Sequence, residues 1–209
     1  MNKLYPLGEQ AIVISFGDKI TPELNDRVLA LQQLLLTKKF SWLKALVPAY
    51  ASLTVHYDSS KVDFTYLSQL LEEQIKAIDV LTLPEGRLIE IPVRYEGPDI
   101  QEVLEYTGLT KEELIFRHTE PEYRVYMIGF SPGFMYLGGM NPQIACPRKA
   151  VPRKSVRAGA VGIAGEQTGV YSMDTPGGWQ IIGHTSVTLF SLREGALAKA
   201  GDLVRFFAK

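Results

Sequence analysis

Residues 123–164 read YRVYMIGFSPGFMYLGGMNPQIACPRKAVPRKSVRAGAVGIA. Short apolar runs such as YRVYMIGF and VGIAG are broken by Gly or Pro every few residues. The pattern continues through GVYS, WQIIG, SVTLF and DLVRFF to the end of the chain. Each run reads as a strand, and many short strands punctuated by turn residues imply a closed barrel or a sandwich. Glycine content marks where this regime begins: of 18 glycines, only Gly8 and Gly17 lie in residues 1–85.

Upstream, the pattern changes to α+β. Ile12, Ile14 and Phe16 alternate as in a strand, and Leu53, Val55 and Tyr57 do so again. Between them, Thr21-Pro22 supplies an N-cap and a proline at the first helical position, followed by Leu24, Val28, Leu31 and Leu35 at helical spacing. Asp63 caps a second helix with Phe64, Leu67, Leu71, Ile75 and Ile78 on its buried face. This β-α-β-α order fits a small sheet with helices on one side. LTLPEGR (residues 81–87) reads as a linker with Pro84 and Gly86 as breakers. Ile89, Ile91 and Val93 then form a strand, with short helices expected near residues 99–106 and 111–116.

Charge is unevenly divided. Residues 1–122 carry 12 basic and 19 acidic side chains, residues 123–209 carry 10 and 4, and the total is −1. The opening stretch holds six Arg or Lys and no acidic residue, which suits a small-anion site. A near-neutral chain with a pI of about 6.3 argues against nucleic acid. No apolar run reaches the roughly 18 residues of a membrane span, and the first residues of the chain turn polar too early for a secretory signal. The single Cys146 has no disulfide partner, which favours a reducing cytoplasm. Three scattered histidines make no zinc site.

Within 129–133, GFSPG matches the hydrolase nucleophile elbow, but Pro132 cannot donate the backbone N–H that an oxyanion requires. The segment reads instead as a binding loop, with Phe130, Pro132 and Gly133 as candidate contacts. In PRKAVPRK (residues 147–154) two Pro-Arg pairs present Arg148 and Arg153 from stiff backbone, with Lys154 alongside; these are the candidate anion-binding residues. TPGGWQIIGHT (residues 175–185) adds Gly177 and Gly178, which permit close backbone approach, and Trp179, which serves either as a flat ligand wall or as barrel core. Thr185 completes this candidate binding set. His118 and His184 are the candidate acid–base residues. No Walker A or dinucleotide-binding motif is present.

Together GFSPGFMYLGGM, PRKAVPRKSVRAGAVGIAG, TPGGWQIIGHT and the closing AGDLVRF resemble the KipI/allophanate-hydrolase-subunit-1 family, with ordered matches along the whole chain. His184 stands where that family commonly has arginine. The resemblance implies an α+β N-terminal domain (residues 1–83) followed by a mainly-β, cyclophilin-like barrel domain (84–209). It implies a non-autonomous component of an ATP-dependent 5-oxoprolinase complex that opens 5-oxoproline to glutamate, with magnesium accompanying the ATP. The implied partners are a subunit-2 homologue, similar to the C subunit of such complexes, and a LamB/YcsF-type protein serving as their A subunit. Two alternatives stay open: a KipI-type inhibitor of a sensor histidine kinase, and a component of a urea/allophanate-type amide-processing system.

Overall fold

The computed structural model describes residues 2–78 and 85–209. They divide into two compact units, with the division in sequence between Glu85 and Gly86. The boundary expected at 83/84 and the first four residues of the expected linker lie outside the described residues.

The first unit runs β1 (Lys3–Pro6), β2 (Ala11–Ser15), α1 (Pro22–Lys38), β3 (Leu43–Pro48), β4 (Ser52–Tyr57) and α2 (Phe64–Ala77). Its four strands form an antiparallel sheet in the order β1-β2-β4-β3. Both helix starts follow their caps: Thr21 Oγ1 accepts from Leu24 N–H at 3.3 Å, and Asp63 Oδ1 accepts from Tyr66 N–H at 2.8 Å. Val28, Leu31 and Leu35 of α1 pack with Leu67, Leu71 and Ile75 of α2 against Ile12, Ile14, Leu53 and Val55. Phe64, expected on the buried face of α2, is exposed in the first turn. Strands β1 and β3 were not anticipated. They are the sheet's edges, mostly exposed and each ending in proline, so neither carries a clean buried/polar alternation.

The second unit contains β5 (Leu88–Val93), α3 (Ile100–Thr107), α4 (Lys111–Thr119), β6 (Glu122–Ile128), β7 (Met135–Gly138), β8 (Arg153–Val156), β9 (Ala160–Ala164), β10 (Gln167–Val170), β11 (Thr175–Gly177), β12 (Gln180–His184), β13 (Phe190–Ser191), β14 (Gly195–Ala196) and β15 (Leu203–Ala208). Seven strands form one sheet in the order β12-β9-β10-β7-β6-β15-β5. Its two outer strands meet: Arg94 and His184 exchange backbone hydrogen bonds at 2.9 Å each way, and Gly97 N–H donates to Ile182 at 3.1 Å. The fold is thus mixed α/β with a mostly-β, nearly closed, barrel-like sheet. Val93, Val125, Leu137, Ile163, Ile182, Val204 and Phe206 fill its core. Helix α4 begins with a capping box between Thr110 and Glu113. The SVTLF run is not a strand. Thr185 Oγ1 accepts from Val187 N–H at 3.2 Å, a local turn that competes with pairing, and only Phe190–Ser191 pairs, with β14. Among the described residues no helix is long and apolar enough to cross a membrane.

Two polar groups are built into this core. His118 is fully buried and stacks on Phe206, with ring centroids 4.6 Å apart. Thr168 donates its hydroxyl to Gly162 O at 3.1 Å, so its oxygen accepts from His118 Nε2–H at 2.8 Å; His118 Nδ1 then accepts from the Tyr95 hydroxyl at 2.7 Å. Burial lowers the His118 pKa to about 3, so the ring is neutral at physiological pH. Asp202, also fully buried, accepts from Arg87 N–H at 3.1 Å, Arg87 Nη2 at 2.7 Å and Lys199 N–H at 3.0 Å. Its carboxylate ties the start of β15 to the start of β5.

Burial works against ionisation of Asp202, but Arg87 and the two backbone donors outweigh it and hold the pKa below the usual Asp value. A carboxyl with a lowered folded pKa contributes stability that is present above its unfolded pKa of about 3.9 and is lost as pH falls through the folded value. Asp202→Asn should therefore lower stability at pH 7 by about 2 kcal/mol through its mismatched buried donors. Its melting temperature should also fall less steeply than wild type below about pH 4, as thermal denaturation across pH checks.

Candidate functional site

One cleft in the second unit, about 170 Å³ in volume, collects aromatic side chains from several elements. Phe130 and Phe134 come from the β6–β7 loop, Tyr136 from β7, Tyr171 from the end of β10, and Trp179 from the start of β12. Arg148, Lys149 and Pro152 enter from the segment preceding β8, and Gly177 and Gly178 supply bare backbone. Phe134, almost fully buried, is the hub of the aromatic group. Its ring centroid lies 4.9 Å from Tyr136, 5.3 Å from Tyr171, 5.4 Å from Trp179 and 5.5 Å from Phe130, all edge-to-face. Gly169 on β10 makes this packing possible: a Cβ there would sit 3.0 Å from Trp179 and 3.1 Å from Phe134. Trp179 is thus both ligand wall and core, only 6% exposed yet lining the cleft.

The GFSPG loop is held in an unusual shape. Phe130 has φ +65°, in the left-handed region, and projects its ring outward with 62% exposed. A non-glycine residue held there costs about 1–2 kcal/mol, and such strain concentrates at binding sites. Gly133 also has positive φ and packs against Phe190 and the Leu189 carbonyl, so it shapes the loop rather than facing the cleft. Ser131 is buried, with its Oγ 3.1 Å from Ser172 Oγ.

The charge at the site differs from the sequence expectation. Asp99, 3% exposed, accepts from Lys149 Nζ at 3.1 Å, from Ile181 N–H at 2.6 Å, and at short range from Arg153 Nη2. Glu102 on α3 accepts from Lys149 Nζ at 2.6 Å and from Gln180 Nε2 at 2.9 Å. Burial raises the Asp99 pKa, but Arg153, the Ile181 N–H and Lys149 more than reverse this, so the group stays ionised. Lys149 and Arg153 are therefore matched by Asp99 and Glu102. The stretch free of acidic residues in sequence is neutralised in space by residues about 50 positions upstream.

Arg148 stands apart. No ion pair engages it among the described residues, and its guanidinium carbon lies 6.0 Å from the Trp179 ring centroid. Burial raises the pKa values of Tyr136 and Tyr171, against Arg148 at Tyr136 and against the Trp179 N–H and then Arg148 at Tyr171, so both phenols remain protonated.

Of the residues anticipated from sequence, Arg148, Phe130, Gly177, Gly178 and Trp179 come together in the cleft. Arg153 lies behind it in the Asp99 network. Lys154 and Pro132 are exposed and do not line the cleft, and Thr185 is buried in the turn after β12. His118 is in the core, and exposed His184 donates from Nε2 to the Ala158 carbonyl at 2.9 Å. Neither histidine lines the cleft. Sequence reasoning missed Asp99, Glu102, Phe134, Tyr136 and Tyr171. The aromatics were visible as strand residues, but nothing local marked the face they share.

Replacing Phe130 with glycine removes the backbone strain and an exposed ring together. Phe130→Gly is expected to leave thermal stability unchanged or raise it by up to about 1 kcal/mol, while weakening ligand binding at the cleft. Paired melting and binding measurements separate the two effects.

Known proteins share both the sequence and the fold that carry this cleft. The family model described as "Carboxyltransferase domain, subdomain C and D" matches residues 2–198. The chain is 43% identical over 215 residues to the 5-oxoprolinase B subunit of Bacillus subtilis (strain 168), covering 96% of this chain and 90% of that one. It superimposes on the crystal structure of TTHA0988 with a TM-score of 0.85 at 38% identity, covering 96% of this chain and 39% of the longer TTHA0988 chain. The urea amidolyase of K. lactis shares the fold with a TM-score of 0.83 at 14% identity, over 100% of this chain and 15% of that one. The chain belongs to the carboxyltransferase subdomain C and D family and, among curated relatives, to the group of 5-oxoprolinase B subunits.

Proposed function

We propose that this chain is the B subunit of an ATP-dependent 5-oxoprolinase, a non-autonomous part of a complex that opens the lactam of 5-oxoproline to L-glutamate. Near-full-length identity to 5-oxoprolinase B subunits carries the reading, and the cleft gives it chemistry. The overall reaction balances as 5-oxoproline, ATP and two waters giving glutamate, ADP and phosphate: one water enters the amide and the other accounts for ATP hydrolysis. An unstrained lactam is a poor electrophile, which is why the ring opening is coupled to ATP. The partners in this reading are a subunit-2 homologue in the role of the C subunit and a LamB/YcsF-type protein in the role of the A subunit. Its barrel is read with the family as cyclophilin-like, which implies no prolyl isomerisation. Its compartment is read as the cytoplasm, where the lone, buried Cys146 stays reduced.

The residues here do not fit magnesium-ATP. The cleft is smaller than the roughly 300 Å³ floor of drug-sized sites. Two of its neighbouring cations are already neutralised, and the carboxylates beside it, Asp99 and Glu102, are the groups that neutralise them. No nucleotide step is therefore assigned to this cleft. Its own residues bind, orient and shield: Arg148 and the Tyr171 hydroxyl supply polar contacts, while Phe134 and Trp179 exclude water.

The test is glutamate release from 5-oxoproline and ATP by the co-expressed subunits, with this chain omitted in a control. Activity should vanish in the control; activity that persists without the chain, or an assembled complex that releases no glutamate, would overturn the reading. Within the active complex, Arg148→Ala should lower kcat/KM about tenfold to a hundredfold at unchanged melting temperature. Arg153→Ala should instead lower the melting temperature, because it strips a cation from the buried Asp99 carboxylate.

A further inference from the structure

We infer that the cleft is a receptor for a small ring bearing a single carboxylate, with Arg148 as the carboxylate's partner, and that the phosphates of ATP bind outside it. The choice of 5-oxoproline as that ring rests on the function proposed above; the charge and size of the ligand do not.

Charge sets the first constraint. Lys149 and Arg153 contribute two positive charges and Asp99 with Glu102 two negative ones, so this quartet sums to zero. Arg148 then leaves the cleft with a net charge of +1. A guanidinium meets one carboxylate through two parallel N–H donors. A triphosphate needs several cations or a bound metal to balance its charge, and this cleft offers one arginine.

Shape sets the second. The volume of about 170 Å³ admits a ring with one substituent. Phe134, Trp179 and the outward Phe130 ring offer apolar surface to ring methylenes. Tyr171 is kept protonated and its oxygen accepts from the Trp179 N–H, so its hydroxyl proton can be offered to a carbonyl or carboxylate without adding negative charge. Gly177 lets the Tyr171 hydroxyl approach the backbone where a Cβ would clash with it, and Gly178 joins it in the same lining. An apolar-walled pocket with one cation and a neutral hydroxyl donor is complementary to a cyclic monocarboxylate that also carries an amide oxygen.

The probes are 5-oxoproline, cyclopentanecarboxylate (ring and carboxylate, no lactam), 2-pyrrolidone (lactam, no carboxylate) and magnesium-ATP. Isothermal titration on the full chain, repeated on the assembled complex, measures each. The two carboxylates are expected to bind, 2-pyrrolidone at least about tenfold more weakly, and magnesium-ATP without displacing either carboxylate. Arg148→Ala should weaken both carboxylates at least about tenfold and leave 2-pyrrolidone unchanged. Equal binding of 2-pyrrolidone and 5-oxoproline, competitive displacement by magnesium-ATP, or no carboxylate binding to chain or complex overturns the inference. The two readings fail separately. Carboxylate binding with no turnover of 5-oxoproline removes the proposed function and keeps the receptor. Turnover that depends on this chain, with KM unchanged in Arg148→Ala, removes the receptor and keeps the function.

Discussion

The carboxylate of Asp99 is the interaction on which the site depends. A buried, ionised carboxyl is expensive unless every lone pair is used, and removing one of its partners typically costs about 3–5 kcal/mol. Here an arginine, a lysine and the Ile181 backbone N–H converge on it. Those partners come from different places: Lys149 and Arg153 from the segment entering β8, and Ile181 from β12. One side chain at the start of α3 thus fixes the basic segment against the strand that follows Trp179. Lys149 N–H donates to Gly178 O at 2.8 Å, so the same anchoring sets the separation of the cleft's two glycine- and proline-bearing walls. The network also decides the electrostatics, because Lys149 and Arg153 are used internally and, among the described residues lining the cleft, Arg148 is the cation left to meet a ligand.

The aromatic wall follows from a second constraint, the exchange of strand side chains for ring volume. Met135, Tyr136 and Leu137 on β7 lie opposite Val170, Gly169 and Thr168 on β10. Where that face lacks a Cβ, at Gly169, the edges of Phe134 and Trp179 occupy the space: an added Cβ would sit only 3.0 Å from Trp179 and 3.1 Å from Phe134. A glycine that weakens a strand is here the condition for an edge-to-face cluster next to it. Phe130 extends that cluster into solvent at the cost of a left-handed backbone. The loop that carries it is therefore organised around the placement of a ring, rather than around the serine that its pattern first brings to mind.

Much of the fold was legible because it rests on local signals. Thr21-Pro22 and Asp63 announced helix starts that the structure reproduces, and the strand runs from residue 123 onward map onto β6, β9, β10, β12 and β15. Edge strands β1 and β3 were illegible because their exposed faces erase the alternation that marks a strand. The site was half legible. Arg148, Trp179 and the paired glycines stand out in the sequence for their chemistry alone. Arg153 has the same chemistry, and only the fold shows that Asp99 has already claimed it. Charge patterning along a chain reports which residues are basic, whereas availability depends on partners about 50 residues away that no window of sequence contains.

The lining of the cleft bears on why such a protein works within an assembly. The side chains that face it are Phe, Tyr, Trp, Pro, Arg and Lys. Both phenols have pKa values pushed up by burial, and Lys149 is held protonated by its hydrogen bond to Glu102, with Asp99 adding to it. Among the described residues lining the cleft, none titrates near neutral pH, so none is poised as a general base. Neither His118 nor His184 supplies one: His118 is neutral and sealed in the core, and His184 does not line the cleft. A pocket of one fixed cation, a neutral hydroxyl and apolar rings can recognise and orient a ligand, and can keep water from it, but it holds no group suited to move a proton in the hydrolysis proposed above. Under the function proposed above, the base and the activating group are brought to the ligand by another surface of the complex.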